Sequence, residues 1–414
     1  MSGITVASSS NNGDAKDSTI KGPRDSLWPN YSPPEELVFS HGKGSELYTL
    51  EGDVYLDFLS GIAVTSFGHT HPHLVAALNE QVGKLWHLSN VFRIPAAEQL
   101  ADRLTENSFA DKVFFANSGT EAVEAGIKAI RGYQAACGCR DRYRIIGFTG
   151  SFHGRTLAAL AVAGNKSQMK DFIPMDYGFD QVEWENLELL KQTIGPNTAG
   201  IILEPVQGEG GIRPISAGFM REVKTLCEEH GLVLMLDEVQ CGIGRTGKLF
   251  AHLHSGVEPD VMVLAKGLGG GFPVGACLTT EAIGNAMVVG THGSTFGGNP
   301  LAMAVGNAVM DLLLESGRLN EVARKANYFR KHLQKLVEGF PEVLASAHGL
   351  GLMIGLKCKV ANTDMLNKLR EKKLVVGTSG ENMLRLLPPL NVSDEHLDKA
   401  LGIIEETLQE FQST

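Results

Sequence analysis

Short apolar runs alternate with helix-forming stretches through the middle of this chain, and that alternation limits the folds available to it. Runs with the length and composition of buried strands occur at 144–148, 200–203, 232–236 and 261–265. Helical patterns occur at 120–133 and 217–230, and each leads into one of these runs. Strands joined through helices pair in parallel and carry helices on the faces of the sheet. The sequence therefore predicts an α/β unit over roughly residues 112–280.

The pattern changes beyond Asn299. Apolar residues there recur every three or four positions and line one face of a long helix: Leu319, Val322, Ala326, Phe329, Leu333 and Leu336. Two strand-like pieces follow at 352–356 and 384–387, and a closing helix with its own apolar stripe begins near Ser393. This succession predicts a small α+β domain.

The predicted fold class is therefore α/β, with a large domain built on a mainly parallel sheet flanked by helices and a small α+β domain beside it. We place the large domain at 86–307 and the small domain at 308–414. The segment 28–85 has a strand-like piece at 55–59 and is expected to pack with the small domain. Residues 1–27 are rich in Ser, Asn, Asp and Gly, which predicts a disordered tail.

The charge and composition argue against several classes of function. The formal net charge is -10 and there is no long Lys/Arg run, so the chain lacks the basic surface that binds nucleic acid or anionic membranes. Gly, Pro or a charged residue interrupts every hydrophobic run before it reaches the ~20 residues that cross a bilayer. Of the six cysteines only Cys137 and Cys139 are close together, which favours reduced thiols in a cytoplasmic protein. Chemistry on small molecules is therefore the expected function.

Two reactive side chains follow successive predicted strands. Asp237 directly follows the run 232–236, and Lys266 directly follows the run 261–265. Because ligands of parallel α/β sheets bind at the carboxyl ends of the strands, we expect this carboxylate and this amine at one edge. The glycines after Lys266 leave room for a planar ring, and a desolvated lysine can lose its proton and form a Schiff base.

A third motif, at residues 117–121, joins the strand-like run at 113–116 to the predicted helix at 120–133. The amides of Gly119 and Thr120 would point at a phosphate bound at the helix N-terminus. Taken alone, this motif is an ordinary helix cap, just as a single lysine or aspartate at a strand end is an ordinary loop residue. The three features together favour a site.

Several longer motifs occur in one order from Gly52 almost to the end of the chain. They read GIAV at 61–64, GHTHP at 68–72, HLSN at 87–90, FFANSGTEA at 114–122, SFHGRT at 151–156, EPVQGEGG at 204–211, LDEVQ at 236–240, AKG at 265–267 and STFGGNP at 294–300. In these stretches the chain resembles the class III (ω-amino acid) aminotransferases of fold type I. The resemblance implies a seven-stranded, mainly parallel sheet and pyridoxal 5'-phosphate as cofactor.

The resemblance also implies a set of cofactor contacts. Lys266 would hold the cofactor as a Schiff base, and Asp237 would keep its ring nitrogen protonated. Further contacts are implied for Ser118, Gly119 and Thr120 at the phosphate, Phe152 stacked on the ring, Gln240 at the ring hydroxyl, Glu204, Val239, and Thr295 from a neighbouring subunit. The last contact requires a homodimer. His153 is interpreted as a core histidine rather than a catalytic group, and no metal is implied.

Five positions are implied at the substrate: Arg155, Glu209, Ser294, Arg385 and Ile62. Arg155 would bind the carboxylate of an acylated donor such as N2-acetyl-L-ornithine. Glu209 would pair with Arg385 and then release it for the α-carboxylate of glutamate, the product formed from 2-oxoglutarate. The alternative is a permanent ion pair. Ile62 stands where ornithine-specific members carry a tyrosine, which favours an acylated donor over free ornithine. Succinylated amines and GABA stay open as alternatives.

Other classes of protein remain as alternatives. The stretch 242–247 satisfies G-x-G-x-x-G, the fingerprint of a nicotinamide-dependent dehydrogenase, but it does not lead into a predicted helix, so we interpret it as a tight turn. His69, His71 and His73 could suggest a metal site, but no acid or cysteine completes a ligand set, and a turn before a helix starting near Pro72 is favoured. A non-enzymatic protein with this fold is the third alternative.

Overall fold

The computed structural model describes residues 27–172 and 178–413, so all but the last residue of the predicted tail, 1–27, lies outside the described residues. The strands are β1 (Phe39–Lys43), β2 (Glu46–Thr49), β3 (Val54–Asp57), β4 (Lys112–Ala116), β5 (Arg144–Phe148), β6 (Phe179–Val182), β7 (Thr198–Leu203), β8 (Val206–Gln207), β9 (Arg213–Pro214), β10 (Val233–Asp237), β11 (Val261–Leu264), β12 (Gly275–Thr279), β13 (Leu344–Leu350), β14 (Met353–Cys358), β15 (Leu374–Val375), β16 (Gly377–Ser379) and β17 (Met383–Leu386). The helices are α1 (Ser60–Ala63), α2 (Pro72–Val82), α3 (Pro95–Glu106), α4 (Gly119–Ala136), α5 (Leu157–Ala163), α6 (Lys166–Met169), α7 (Leu187–Thr193), α8 (Ala217–His230), α9 (Glu281–Ala286), α10 (Pro300–Leu314), α11 (Arg318–Gly339), α12 (Asn362–Glu371) and α13 (Asp394–Gln412).

The large sheet has seven strands in the order β4-β12-β11-β10-β7-β5-β6. Strand β12 runs antiparallel to both of its neighbours, and the other pairings are parallel. The predicted α/β class with a mainly parallel seven-stranded sheet is therefore confirmed. The register of β10 against β11 places Asp237 opposite Val263, so the chain following each strand emerges at the same edge.

Apolar side chains of the sheet alternate between two helical layers, as the period of two in a strand requires. In β10, Met235 belongs to a cluster with residues of α4, whereas Leu234 and Leu236 belong to a cluster with residues of α8. These side chains are fully buried, and burial of each stabilises the fold by about 1.5–3 kcal/mol. In the described part of the chain, no helix is both long enough and apolar enough to span a membrane.

Two four-stranded sheets have the orders β1-β2-β3-β15 and β13-β14-β17-β16, and β8 pairs with β9 in a two-stranded sheet. Strand β3 pairs in parallel with β15, which joins the N-terminal segment to the C-terminal part of the chain. This pairing supports the expected packing of 28–85 against the small domain. The boundaries 28–85, 86–307 and 308–414 stay predictions.

The turn α1 has an unusual backbone. Ser60, Gly61, Ile62 and Ala63 all have φ between 50° and 66°, so the turn is left-handed, and this conformation costs an ordinary L-residue about 1–2 kcal/mol. The side chain of Asp57 accepts hydrogen bonds from the amides of Leu59 (2.9 Å) and Ser60 (2.8 Å). Its other oxygen lies 2.7 Å from Nε2 of His69. One buried carboxylate thus holds the start of a strained turn.

Replacing Asp57 by Ala is expected to lower the free energy of unfolding by about 2–4 kcal/mol, because two amides in a buried turn lose a charged acceptor. Asp53→Ala, in the same hairpin, is the matched control: that aspartate forms an exposed ion pair with Lys373, and its loss should cost less than about 1 kcal/mol. Urea unfolding of the two variants measures the difference. Equal losses would show that Asp57 does not support the turn.

Candidate active site

A cavity of about 400 Å³ lies at the carboxyl ends of the parallel strands. Its walls come from the segments that follow β4, β5, β7, β10 and β11. Ten of the residues proposed from the sequence line it: Ser118, Gly119, Thr120, Phe152, Arg155, Glu204, Asp237, Val239, Gln240 and Lys266. The sheet therefore brings together residues that are spread over about 150 positions of the chain.

Asp237 is held at the end of β10 by two hydrogen bonds. The amide of Val239 donates to Oδ1 (3.0 Å), and Nδ1 of His153 lies 2.7 Å from Oδ2. Both side chains are almost fully buried. Burial opposes protonation of His153, but the hydrogen bond to Asp237 and the charges of Asp237 and Glu204 raise the pKa of His153 above its ordinary value. The contact thus favours the protonated form of His153.

His153 was not predicted at the site, since the sequence favoured a core histidine. It is buried, but it also lines the cavity and contacts the proposed catalytic carboxylate. Its Nε2 has no hydrogen-bond partner among the described residues. The only sequence signal for this role was its position directly after Phe152.

Lys266 begins a short 3₁₀ turn after β11, with φ of 43°. Burial lowers the pKa of its amine to about 8; the positive charge of Arg385 adds to this effect, while Asp237, Glu209 and Glu204 oppose it. With such a pKa, the amine of Lys266 is neutral in a substantial minority of the molecules near neutral pH. It can therefore act as a nucleophile and as a base.

The N-terminus of α4 forms an anion-binding end of the cavity. Ser118 caps the helix by accepting a hydrogen bond from the amide of Glu121 (3.3 Å). The amides of Gly119 and Thr120, at the start of the helix, have no acceptor inside it. A Cβ atom on Gly119 would lie 2.7 Å from Cγ1 of Val239, so only glycine lets the two segments approach this closely. The hydroxyls of Thr120 and Thr156 meet at 3.1 Å nearby. Amides, hydroxyls and the helix dipole all favour a phosphate here.

Phe152 and Arg155 project from the segment after β5. The guanidinium of Arg155 lies 5.4 Å from the centre of the Phe152 ring, and its side chain is exposed at the cavity. Behind Phe152, the buried Glu204 accepts hydrogen bonds from the amides of Phe152 (3.2 Å) and Gly208 (3.4 Å). Burial raises the pKa of Glu204 to about 7; His153 opposes this shift, and Asp237 adds to it.

Glu209 and Arg385 form an ion pair beside the cavity, through Oε1 and a guanidinium nitrogen. The same nitrogen lies 3.5 Å from Oε1 of Gln240, which does line the cavity. Arg385 is buried, whereas Glu209 is partly exposed. An arginine next to the cavity is thus neutralised by a carboxylate that has access to solvent.

Five proposed residues do not line this cavity within one chain: Glu209 and Arg385, which lie beside it, and Ser294, Thr295 and Ile62. Ser294 and Thr295 line a separate surface cavity with Phe114 and Glu121, and Thr295 is exposed. Ile62 sits in the left-handed turn α1 and packs partly against an apolar cluster, although Val64, two residues on, does line the cavity.

The two alternative motifs have other structures. The stretch 242–247 forms tight turns and leads to a 3₁₀ turn at Ala251–His254, not to a helix that could begin a dinucleotide site. His69 contacts Asp57, His71 caps α2, and His73 contacts Asp311 at 2.9 Å. The three histidines therefore have three different structural partners.

Comparison with known families decides between these possibilities. The family model for aminotransferase class-III matches residues 29–408. This chain belongs to the class III aminotransferases. It is therefore a pyridoxal-phosphate-dependent transaminase, and both the resemblance and the cofactor inferred from the sequence are confirmed.

Several members of the family are close in sequence or structure. The acetylornithine aminotransferase of Mesorhizobium japonicum is 53% identical, over 89% of this chain and 92% of its own length. The N-acetylornithine aminotransferase of Stenotrophomonas maltophilia superposes with a TM-score of 0.80 at 36% identity, covering 92% of this chain and 97% of that one. An ornithine aminotransferase structure from Toxoplasma gondii, with partial occupancy of PLP at its active site, gives a TM-score of 0.89 at 29% identity and covers 94% of both chains.

The residues of the cavity fit pyridoxal phosphate. The N-terminus of α4, kept open by Gly119, suits the phosphate, and Phe152 supplies a face for the ring. Asp237, held in position by its contact with His153, suits a protonated ring nitrogen. Lys266 supplies an amine of lowered pKa.

The rate at which the apoenzyme takes up pyridoxal phosphate should rise as pH increases through about 8. Only the neutral amine attacks an aldehyde, and burial lowers the pKa of Lys266 to about 8 from its ordinary value of 10.5. Stopped-flow measurement of the visible absorbance across this pH range gives the midpoint, with free lysine and the cofactor as the reference reaction. A midpoint matching that of free lysine would contradict the lowered pKa.

Proposed function

We propose that this transaminase transfers the δ-amino group of N2-acetyl-L-ornithine to 2-oxoglutarate, giving N-acetyl-L-glutamate 5-semialdehyde and L-glutamate, a step of arginine biosynthesis. The observation that carries the proposal is the pair of arginines at the cavity, of which only Arg385 is neutralised by a carboxylate. Arg155 is available to every substrate, whereas Arg385 becomes available only when Glu209 moves. Relatives such as that of M. japonicum, named for acetylornithine, support the choice of donor.

When bound, the cofactor supplies an aldehyde that takes up the amino group and a protonated ring that withdraws electrons from the substrate carbon. Asp237 would accept the hydrogen bond of the protonated ring nitrogen, and His153 holds the Asp237 carboxyl group in position. Lys266 Nζ, neutral because of its burial, accepts the proton from the substrate carbon that bears the amine. Both half-reactions use these groups, so the kinetics should be ping-pong.

Two different substrates share the site through the two arginines. Arg155, exposed above Phe152, binds the carboxylate of acetylornithine in one half-reaction and the γ-carboxylate of glutamate in the other. In the first half-reaction Glu209 keeps Arg385 neutralised, so a donor without a second carboxylate is accepted. In the second, the α-carboxylate of glutamate displaces Glu209 from Arg385. The partial exposure of Glu209 supports this exchange, since its carboxylate can turn to water.

The choice among amines depends on the entrance of the site. Ile62 does not line the cavity of the single chain, but it lies two residues from Val64, which does. An apolar side chain there would give a free α-amine no polar partner, which favours an acylated donor. Ornithine, succinylornithine and GABA are the alternative donors. The similarity to the T. gondii ornithine aminotransferase makes ornithine the alternative to test first.

The active enzyme is proposed to be a cytoplasmic homodimer. Trp86, Val91, Phe92 and Phe296 are exposed apolar side chains. Asn90, in the same segment as the first three, donates a hydrogen bond to the carbonyl oxygen of Ser294 (3.1 Å), next to Thr295, and a second subunit would cover such a surface. Thr295 would then reach the phosphate of the neighbouring site, and Ser294 would approach the substrate there. The free cysteines support a reducing compartment. A monomeric mass for the active holoenzyme in light scattering would contradict the dimer.

In single-turnover reactions of the holoenzyme, acetylornithine should react with a larger kcat/KM than ornithine or GABA, by about 10-fold or more, because a charged α-amine near Ile62 is desolvated without a partner. The reaction of each amine is followed by the change in cofactor absorbance, with 2-oxoglutarate restoring the starting form. A preference for GABA or ornithine would rule out the proposed donor.

The two arginines should have different effects on the half-reactions. Arg155→Ala is expected to weaken both half-reactions by about 10-fold to 100-fold, because each substrate loses a charged contact. Arg385→Ala should weaken mainly the glutamate half-reaction, because acetylornithine does not use that arginine. Equal losses of kcat/KM in both halves for both variants would favour a permanent structural ion pair.

A further inference from the structure

The loop that carries Glu209 is held by a hairpin of the small sheet. Ser379, the last residue of β16, is buried and places its Oγ 2.7 Å from the carbonyl oxygen of Gly208, to which it donates. The same Oγ accepts a hydrogen bond from the amide of Gly211 at 3.2 Å, and it lies 3.2 Å from the carbonyl oxygen of Glu209. One hydroxyl thus contacts the backbone on both sides of Glu209.

The next residue of the hairpin adds a backbone contact. The amide of Gly380 donates to the carbonyl oxygen of Glu209 at 3.0 Å. A Cβ atom at position 380 would lie 2.7 Å from that oxygen, so a side chain there would push the loop away. The hairpin therefore holds the backbone of Glu209 in place. The side chain of Glu209 is partly exposed and forms the ion pair with Arg385.

Arg385 belongs to the same hairpin. It lies on β17, paired opposite Gly377, and Ser379 is paired opposite Met383. The hairpin therefore holds both partners of the ion pair: it carries Arg385 as a side chain and holds Glu209 through the loop backbone. Sequence patterns did not indicate this arrangement, because Ser379 and Gly208 are 171 residues apart.

We propose that Ser379 is a positioning residue for the exchange between Glu209 and a substrate carboxylate at Arg385. With the backbone fixed, the Glu209 carboxylate stays close to Arg385, and releasing it requires rotation of one side chain only. The proposal rests on the proposed function, in which Arg385 receives the α-carboxylate of glutamate. The Ser379 hydroxyl would determine how strongly Glu209 competes with a substrate carboxylate for Arg385. It would thereby affect the selectivity of the enzyme between its substrates.

Removing the Ser379 hydroxyl should therefore make Arg385 more available to a substrate carboxylate. A loop with more freedom presents the Glu209 carboxylate to Arg385 for a smaller fraction of the time, because the effective concentration of a tethered group falls as its tether loosens. A dicarboxylate that bridges Arg155 and Arg385 competes with Glu209, so it should bind more tightly. Loss of structural integrity alone would weaken such binding instead.

The test is calorimetric titration of the holoenzyme with glutarate, which has the length of 2-oxoglutarate but neither the keto nor the amino group that reacts. In Ser379→Ala the Kd for glutarate should fall about threefold to tenfold, the range expected from one hydrogen bond. Thr407→Val is the matched control, because it removes a buried hydroxyl of α13 whose one hydrogen bond within the described residues is to the carbonyl of Ile403. Its Kd should equal that of the parent enzyme.

Gly380→Ala disturbs the loop of Glu209 in a second way and leaves the Ser379 hydroxyl in place. Its Cβ would displace the Glu209 carbonyl, and glutarate should again bind more tightly. This variant keeps the proposal testable if Ser379→Ala fails to fold, since residue 380 is exposed. An unchanged or raised Kd in whichever of the two variants folds would overturn the positioning role.

Glu209→Gln separates this inference from the function it rests on. By itself it should tighten glutarate binding, because Arg385 loses its competitor, and Ser379→Ala should then add nothing, since there is no carboxylate left to position. An additive effect of Ser379→Ala in the Glu209→Gln background would overturn the inference alone. An unchanged Kd in the Glu209→Gln single variant would overturn the proposed exchange at Arg385.

Discussion

The parallel pairing of β10 with β11 is the constraint on which the active site depends. Asp237 stands opposite Val263 in that register, and Lys266 follows three residues later, so a buried carboxylate and a buried amine emerge at the same edge of the sheet. A shift by one residue would turn one of these side chains towards a helical layer. The two apolar clusters on either side of β10 fix this register, because Met235 fits only one layer and Leu234 and Leu236 fit the other. Core packing and chemistry are thus set by the same hydrogen-bond ladder.

Around this pair, the site is built from buried polar groups that hold one another. His153 contacts Asp237, and Glu204 ties the amide of Phe152 to that of Gly208. Such groups cost free energy to bury unless they are paired, so each one restricts its partner to a single position. The small domain continues this arrangement across the cavity, where Ser379 and Gly380 hold the loop of Glu209. The group proposed to move is then the partly exposed carboxylate of Glu209.

Sequence reasoning found the features that depend on local pattern. Strand β5 and helix α8 were predicted with their observed ends, because each combines a continuous apolar signal with a clear stop, such as Gly231 after α8. The positions of Lys266, Asp237 and the N-terminus of α4 at one edge of the sheet could be predicted, because each lies at the end of a strand with a continuous apolar signal. Contacts between distant segments could not be predicted: His153 and Asp237 are 84 residues apart, and nothing in the local sequence of either predicts their pairing. The left-handed turn α1 was also not predicted, because Ser60, Ile62 and Ala63 adopt a conformation that their own preferences oppose and that Asp57 and neighbouring segments impose.

The visible spectrum of the purified protein with pyridoxal phosphate tests the pairing of Lys266 and Asp237 most directly. A Schiff base of the cofactor on a buried lysine, with its ring nitrogen kept protonated by the adjacent carboxylate, would absorb violet light and colour the protein yellow. We expect this band in the parent enzyme after dialysis, its loss in Lys266→Ala, and a weakened or shifted band in Asp237→Asn. A band that survives unchanged in Lys266→Ala would place the covalent site on another residue and contradict the central role of this strand pair.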